Sequence, residues 1–119
     1  MQDFLTGRLK SFIYAFKGIF YVFRSQKNAQ VHAIAIPVIA VWGYYLGLAR
    51  WEWCAICLCM ALVLSLEAIN TAIESIIDLV SPEYHELAGR AKDVAAGAVL
   101  LAVIFCGIVW GIIFLPKIS

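Results

Sequence analysis

The stretch WCAICLCMALVLSLEAINTAIESIIDLV, which runs from Trp53 to Val80, has the pattern of one long helix that begins apolar and ends polar. Its first half, Trp53–Leu66, contains no charged residue. Polar residues then follow at spacings of three, four and four, which places them on one stripe of the helix: Glu67, Asn70, Glu74 and Asp78. Inserting an ionisable group at the centre of a membrane helix costs about 2.5–3.5 kcal/mol, so its presence at this depth indicates a functional site.

The rest of the chain has the composition of a membrane protein. Of 119 residues, 64% are hydrophobic and 14% are charged, and the mean hydropathy is +0.90. Two further runs, Val31–Ala49 and Val94–Pro116, contain no Asp, Glu, Lys or Arg. Each is long enough to cross a hydrocarbon core of about 30 Å. A secretory signal peptide is excluded because the first thirty residues are amphipathic and basic.

We therefore predict an all-α integral membrane protein of one domain, residues 1–119, with an amphipathic surface helix over about 4–25 and spans over about 31–49, 53–80 and 94–116. Ser25–Asn28 interrupts the apolar pattern and predicts the bend into the first span. Seven basic residues lie on the side of the N-terminus and of the second connection, against two on the other side. The positive-inside rule then predicts a cytoplasmic N-terminus and an external C-terminus.

The polar stripe joins the membrane interior to the cytosol. Counted from Trp53, Glu67 lies about 21 Å down the helix and Glu74 about 31 Å, at the inner headgroup level. The loop that follows Ser81-Pro82 is crowded with polar residues, and Pro82 predicts the start of a short new helix. This arrangement suits a site that joins a lipid to a water-soluble reagent.

The stripe has the residue types that phosphoryl transfer requires. Carboxylate and amide oxygens suit Mg²⁺, a carboxylate serves as base for an attacking hydroxyl, and Arg90 and Lys92 offer cations for developing charge. Neither G-x-x-x-x-G-K-[ST] nor G-x-G-x-x-G occurs. A simpler alternative is that the carboxylates only pair with neighbouring helices. His32 is interpreted as an interfacial residue, and the four cysteines as small apolar residues.

Two motifs resemble one known family. The string EAINTAIE at Glu67–Glu74, followed by Asp78 and by EYHELAGRAKD at Glu83–Asp93, is similar to the prokaryotic diacylglycerol kinases, which include the undecaprenol kinases. The resemblance covers nearly the whole chain. It implies a homotrimer in the bacterial inner membrane, with active sites between subunits at the cytoplasmic face, that uses MgATP to phosphorylate a lipid alcohol.

The resemblance also implies residue roles. Glu67 is expected to be the general base with Asn70 beside it, and Glu74 and Gln26 are the expected metal ligands. The expected ATP-binding residues are Tyr14, Lys17, Gln26, Glu74, Asp78, Glu83, Tyr84, His85, Lys92 and Asp93. The expected lipid-binding residues are Arg8, Lys10 and Glu67.

This sequence departs from the family pattern at Gln26, where the family usually has a glutamate that binds metal. A neutral amide oxygen ligates Mg²⁺ without contributing charge, so weaker metal binding is expected. Arg8 is one residue out of register with the family's N-terminal arginine. The stretches 12–18 and 92–99 resemble the undecaprenol kinase branch and 86–90 the diacylglycerol kinase branch, which favours undecaprenol as substrate.

Two other functions remain open from sequence alone. A small transporter or exporter would use Glu67 as a cation site, but that function leaves the polar loop unexplained. A structural or assembly subunit would need none of these groups. Transfer of phosphate from ATP to a lipid separates both from a lipid kinase.

Overall fold

The computed structural model describes residues 2–118, and all regular secondary structure in that range is α-helical. The chain forms α1 (Gln2–Ser25), α2 (Lys27–Leu46), α3 (Arg50–Val80) and α4 (Glu86–Ile118). Three of these helices, α2, α3 and α4, are long and apolar enough to cross a membrane. The predicted all-α membrane class is therefore confirmed.

The connections between helices are short, which makes α2, α3 and α4 antiparallel neighbours. Gln26 alone separates α1 from α2, with an extended backbone (φ −106°, ψ 119°). Gly47 ends α2 in the left-handed conformation (φ 71°), which glycine adopts without steric cost. Pro37 lies inside α2 without interrupting it. We call the end of the bundle at residues 47–49 the turn end, and the opposite end, at residues 81–85, the loop end.

The loop end differs from the prediction in one respect. No separate short helix follows Pro82, because α4 begins at Glu86 and continues for 33 residues to Ile118. Arg90, Lys92 and Asp93 therefore lie on the first turns of α4 and not in a loop. At 1.5 Å per residue α3 and α4 are about 46 and 50 Å long, so both exceed the hydrocarbon thickness of about 30 Å. Side-by-side packing of the two helices lets them extend together beyond the apolar runs.

The turn end is closed by packing of three helices. Ile39 of α2 meets Ile56 and Met60 of α3 and Ile113 and Phe114 of α4 in one buried cluster. Trp42 stacks on Phe114 with ring centroids 5.4 Å apart. Such contacts hold membrane helices together by close packing, because lipid offers little hydrophobic driving force.

The contact between α2 and α3 at this end is close enough to require a glycine. A Cβ at Gly43 would lie 2.6 Å from Leu48 Cδ1 and 2.8 Å from a ring carbon of Trp53, so a larger residue would force these two side chains to move. The turn therefore fixes how α2 leaves the bundle.

The loop end is more open. The second buried cluster, Val63 with Ala102 and Cys106, involves α3 and α4 without α2. Beside this pair, the first turns of α2 line a cavity that we call the wedge, and α3 and α4 form its other walls. α1 contacts the bundle near its C-terminal end, where Val22 is buried, and most of its large apolar side chains are exposed.

Candidate functional site

The wedge at the loop end is a cavity of about 400 Å³. All three spanning helices line it: Asn28, Val31 and His32 from α2, Glu67 and Asn70 from α3, and Ala96, Val99, Leu100 and Val103 from α4. Polar side chains therefore occupy the walls formed by α2 and α3, and the α4 wall is apolar. A molecule with a polar group and an apolar chain could therefore contact both kinds of wall.

Glu67 is the most enclosed ionisable side chain of the wedge. The residue is only 2% exposed, and its Oε1 atom is buried without a hydrogen-bond partner among the described residues. Thr71, one turn on, donates its hydroxyl proton to the backbone oxygen of Glu67 at 2.9 Å and not to the carboxylate. A buried acceptor without a partner costs about 1–3 kcal/mol, so this oxygen is set to receive a hydrogen bond from a bound molecule.

Asn70 connects the wedge to the next carboxylate on the stripe. Its Nδ2 donates to Glu74 Oε1 at 3.0 Å, which leaves Asn70 Oδ1 buried and without a partner in the described part of the chain. The amide thus orients Glu74 and presents a second free acceptor close to Glu67.

Asp78 and Lys92 pair at the polar end of the stripe. Lys92 Nζ lies 2.6 Å from Asp78 Oδ1 and joins the extensions of α3 and α4. Both side chains are exposed, 41% for Lys92 and 67% for Asp78, so water screens the pair and it contributes little to stability. The ammonium group is therefore free to exchange Asp78 for a phosphate oxygen at little cost.

The other predicted ATP-binding residues lie outside the wedge. Glu83, Tyr84, His85 and Asp93 are exposed. His85 Nδ1 accepts a hydrogen bond from the backbone N–H of Leu87 at 3.1 Å, which caps the start of α4. These residues surround the polar end of the stripe without filling the cavity.

The predicted residues on α1 are also outside the wedge. Arg8 and Lys17 lie over the rings of Phe4 and Tyr14, at 6.0 and 5.9 Å from the ring centroids, and Lys10 is exposed. Gln26 is half-buried, and its backbone bonds to Val22 and Gln30. None of these side chains lines the wedge.

The structure adds two residues that the sequence interpretation missed. His32 lines the wedge with Glu67 and is not simply an interfacial residue at the start of the first span. Asn28 lines the same cavity one helical turn earlier. The signal was available in principle, since residues four apart share a helix face, but the face that α2 turns inward depends on its packing.

Comparison with known proteins agrees with this geometry. Residues 13–114 match the family of prokaryotic diacylglycerol kinases. The undecaprenol kinase of Bacillus subtilis (strain 168) is 41% identical over 114 residues, which cover 96% of this chain and 93% of the relative. The diacylglycerol kinase of Escherichia coli (strain K12) is 32% identical over 108 residues, which cover 91% of this chain and 88% of the relative.

A third relative is longer than this chain. The diacylglycerol kinase of Synechocystis sp. (strain ATCC 27184 / PCC 6803 / Kazusa) is 43% identical over 111 residues, which cover 92% of this chain but only 63% of the relative. Three apolar helices around a buried acidic site, together with these relatives, define the class: a membrane lipid kinase. The chain belongs to the prokaryotic diacylglycerol kinase family. The predicted family and enzyme class are confirmed.

Proposed function

We propose that this kinase transfers the terminal phosphoryl group of ATP, with Mg²⁺, to the hydroxyl of undecaprenol at the cytoplasmic face of the bacterial inner membrane. The observation that carries the proposal is the buried, unpaired Oε1 of Glu67 in a cavity with one apolar wall. The similar B. subtilis protein is named an undecaprenol kinase, which favours that lipid over diacylglycerol.

Glu67 is the proposed general base. A lipid hydroxyl in the wedge would donate a hydrogen bond to Glu67 Oε1, and the carboxylate would accept its proton as the oxygen attacks phosphorus. Asn70 Oδ1 offers a second acceptor that orients the same hydroxyl. The apolar α4 wall excludes water, which would otherwise compete as the phosphoryl acceptor.

Glu74 is the proposed metal ligand. Its Oε1 accepts a hydrogen bond from Asn70 Nδ2, and its second oxygen would contact the cation. No group of three His, Cys, Asp or Glu residues suited to a metal occurs within residues 2–118. Mg²⁺ takes one or two carboxylates and completes its shell with water and substrate phosphates, so Glu74 would supply one ligand of such a shell. When bound, Mg²⁺ would neutralise phosphate charge; Gln26 is proposed as a weaker, uncharged ligand.

The remaining groups are proposed to hold the nucleotide. Lys92 would exchange its contact with Asp78 for a phosphate, close to the exposed residues Glu83, Tyr84 and His85. In the proposed homotrimer, the α1 side chains Arg8, Lys10, Tyr14 and Lys17 act across a subunit boundary, since in a single chain they do not line the wedge. The basic residues favour a cytoplasmic loop end.

The test is a phosphoryl-transfer assay on purified protein in lipid micelles. MgATP is supplied with undecaprenol or with diacylglycerol, and the proposal expects faster turnover of undecaprenol. Glu67→Gln is compared with Glu52→Gln, because Glu52 is also buried on α3 but lies at the turn end. Loss of turnover in the first variant alone supports the base assignment. A wild-type protein inactive on both lipids, or a fully active Glu67→Gln variant, contradicts the proposal.

A further inference from the structure

A second cavity continues the wedge towards the turn end. It has a volume of about 130 Å³ and lies between α3 and α4. His32 and Val103 line both cavities, so the two are adjacent, and we call them together the passage. On α4 the passage extends from Ala96 to Trp110, about 21 Å at 1.5 Å per residue. Glu67 and Asn70 lie at its wide, polar end.

The narrow part is almost wholly apolar. Met60 faces it from α3, and Cys106 and Gly107 face it from α4. A Cβ added at Gly107 would meet nothing within 4 Å, which shows that the space beside this glycine is open. At the far end, Trp110 Nε1 is buried without an acceptor in the part of the chain described. The passage thus narrows from a polar mouth to an apolar groove.

We infer that this groove, defined by Met60, Cys106, Gly107 and Trp110, receives a single hydrocarbon chain that begins at the lipid hydroxyl, and that it thereby selects a polyprenol over a two-chain glycerolipid. The inference rests on the proposed kinase function and specifies how its substrate is chosen. A polyprenol carries its hydroxyl at the end of one chain, so the chain enters the groove directly behind the reacting oxygen.

A diacylglycerol does not fit the same path. Its two acyl chains diverge within a few atoms of the hydroxyl, so one chain would have to leave the passage while the other occupied it. The groove also suits alkene carbons better than saturated ones, because the π electrons of a double bond are weak acceptors for the indole N–H of Trp110. The shape of the groove and the N–H of Trp110 therefore both favour a polyprenol.

Gly107→Leu tests the groove directly, with Gly111→Leu as the matched control. Both glycines lie on α4 one turn apart, and a Cβ at Gly111 makes only ordinary contact, 3.9 Å from Leu115 Cδ1. Turnover of undecaprenol and of geraniol, a short prenol that ends before the narrow part, is measured in the same micelles. Gly107→Leu should lower kcat/KM for undecaprenol about tenfold or more and leave geraniol within about twofold. The control should change neither.

Several results would overturn the inference. Equal losses on both alcohols would show that the Gly107→Leu substitution disturbs the chemistry or the fold, and an unchanged rate on undecaprenol would show that no chain occupies the groove. A change in oligomer mass on size exclusion, with loss on both alcohols, would assign the groove to a second copy of this chain. Equal wild-type rates on diacylglycerol and undecaprenol would contradict the inference that the groove selects a polyprenol.

Binding gives a readout that does not depend on turnover. Native mass spectrometry should show undecaprenol retained by the wild-type protein and by Gly111→Leu, and not by Gly107→Leu. Equal retention by Gly107→Leu contradicts the groove even if the wild-type protein transfers no phosphate. Absence of phosphate transfer with retention lost only in Gly107→Leu contradicts the proposed kinase reaction and leaves the groove supported.

Discussion

Glu52 at the turn end and Glu67 at the loop end are both buried on α3, with 6% and 2% of their surface exposed. Glu52 has two partners on one oxygen: its Oε1 accepts the N–H of Ala49 at 2.7 Å and lies 3.2 Å from Lys117 Nζ. Glu67 Oε1 has no partner among the described residues. The two glutamates are thus similarly buried, and the difference in their hydrogen bonds is what supports the proposed role of Glu67 as the base.

The same contrast separates the two ends of the bundle. At the turn end three helices share one buried cluster, and an ion pair joins the last turn of α4 to the first turn of α3. At the loop end the three helices line a cavity, where Glu67 Oε1 and Asn70 Oδ1 are buried and have no hydrogen-bond partner among residues 2–118. The turn end holds the three helices together, and the loop end carries the residues of the proposed site.

The largest effect should come from Glu67→Gln. Loss of a general base lowers kcat about 10²–10⁴-fold, whereas folding should be unimpaired because Glu67 Oε1 has no hydrogen bond to lose among the described residues. Steady-state turnover, together with nucleotide binding by calorimetry, measures this. A Glu67→Gln variant that is less stable than the wild-type protein but turns over at the wild-type rate would contradict this contrast between the two glutamates.

Lys117→Met should lower the stability of the protein and leave its turnover nearly unchanged. It leaves the buried carboxylate of Glu52 without its cation, which should lower the free energy of unfolding by about 1–3 kcal/mol. Reversible unfolding in micelles of increasing SDS content measures the change. Turnover per folded molecule should stay within about twofold, and a selective loss of turnover would show that the turn end takes part in catalysis.

Gln26→Glu tests whether position 26 contributes to the proposed metal site. A carboxylate at this position adds a charged oxygen ligand, so half-maximal activity should require several-fold less Mg²⁺. Titration of activity with Mg²⁺ at saturating ATP measures it, with Gln30→Glu, on the next turn of α2, as the control. An unchanged Mg²⁺ dependence argues against ligation at this bend.

Asp78→Asn should have the smallest effect on stability. An exposed ion pair contributes about 0.2–1 kcal/mol, so the free energy of unfolding should hardly change. If Lys92 leaves Asp78 to bind phosphate, the KM for ATP should fall in this variant, because the competing carboxylate has lost its charge. An increased KM would show instead that Asp78 itself contacts the nucleotide or its metal.

The sequence predicted the spans well because charge-free runs and the stripe from Glu67 to Asp78 are local patterns. It did not predict that α4 begins at Glu86, because the His85 side chain caps that start, a contact that the apolar pattern does not show. His32 was missed because the face that α2 turns inward depends on its packing against the other helices, which is not a local pattern. The roles of Arg8, Lys10, Tyr14 and Lys17 stay predictions, because one chain does not bring them to the wedge.

The wedge has a kinetic consequence. Leu100 and Val103 line it and yet remain 59% and 40% exposed, so its mouth opens sideways from the bundle. A lipid alcohol would arrive by two-dimensional diffusion within the bilayer plane and not from bulk solvent. Reaction velocity should then follow the mole fraction of acceptor in the membrane: adding inert phospholipid should slow the reaction although the total amounts of protein and acceptor stay constant.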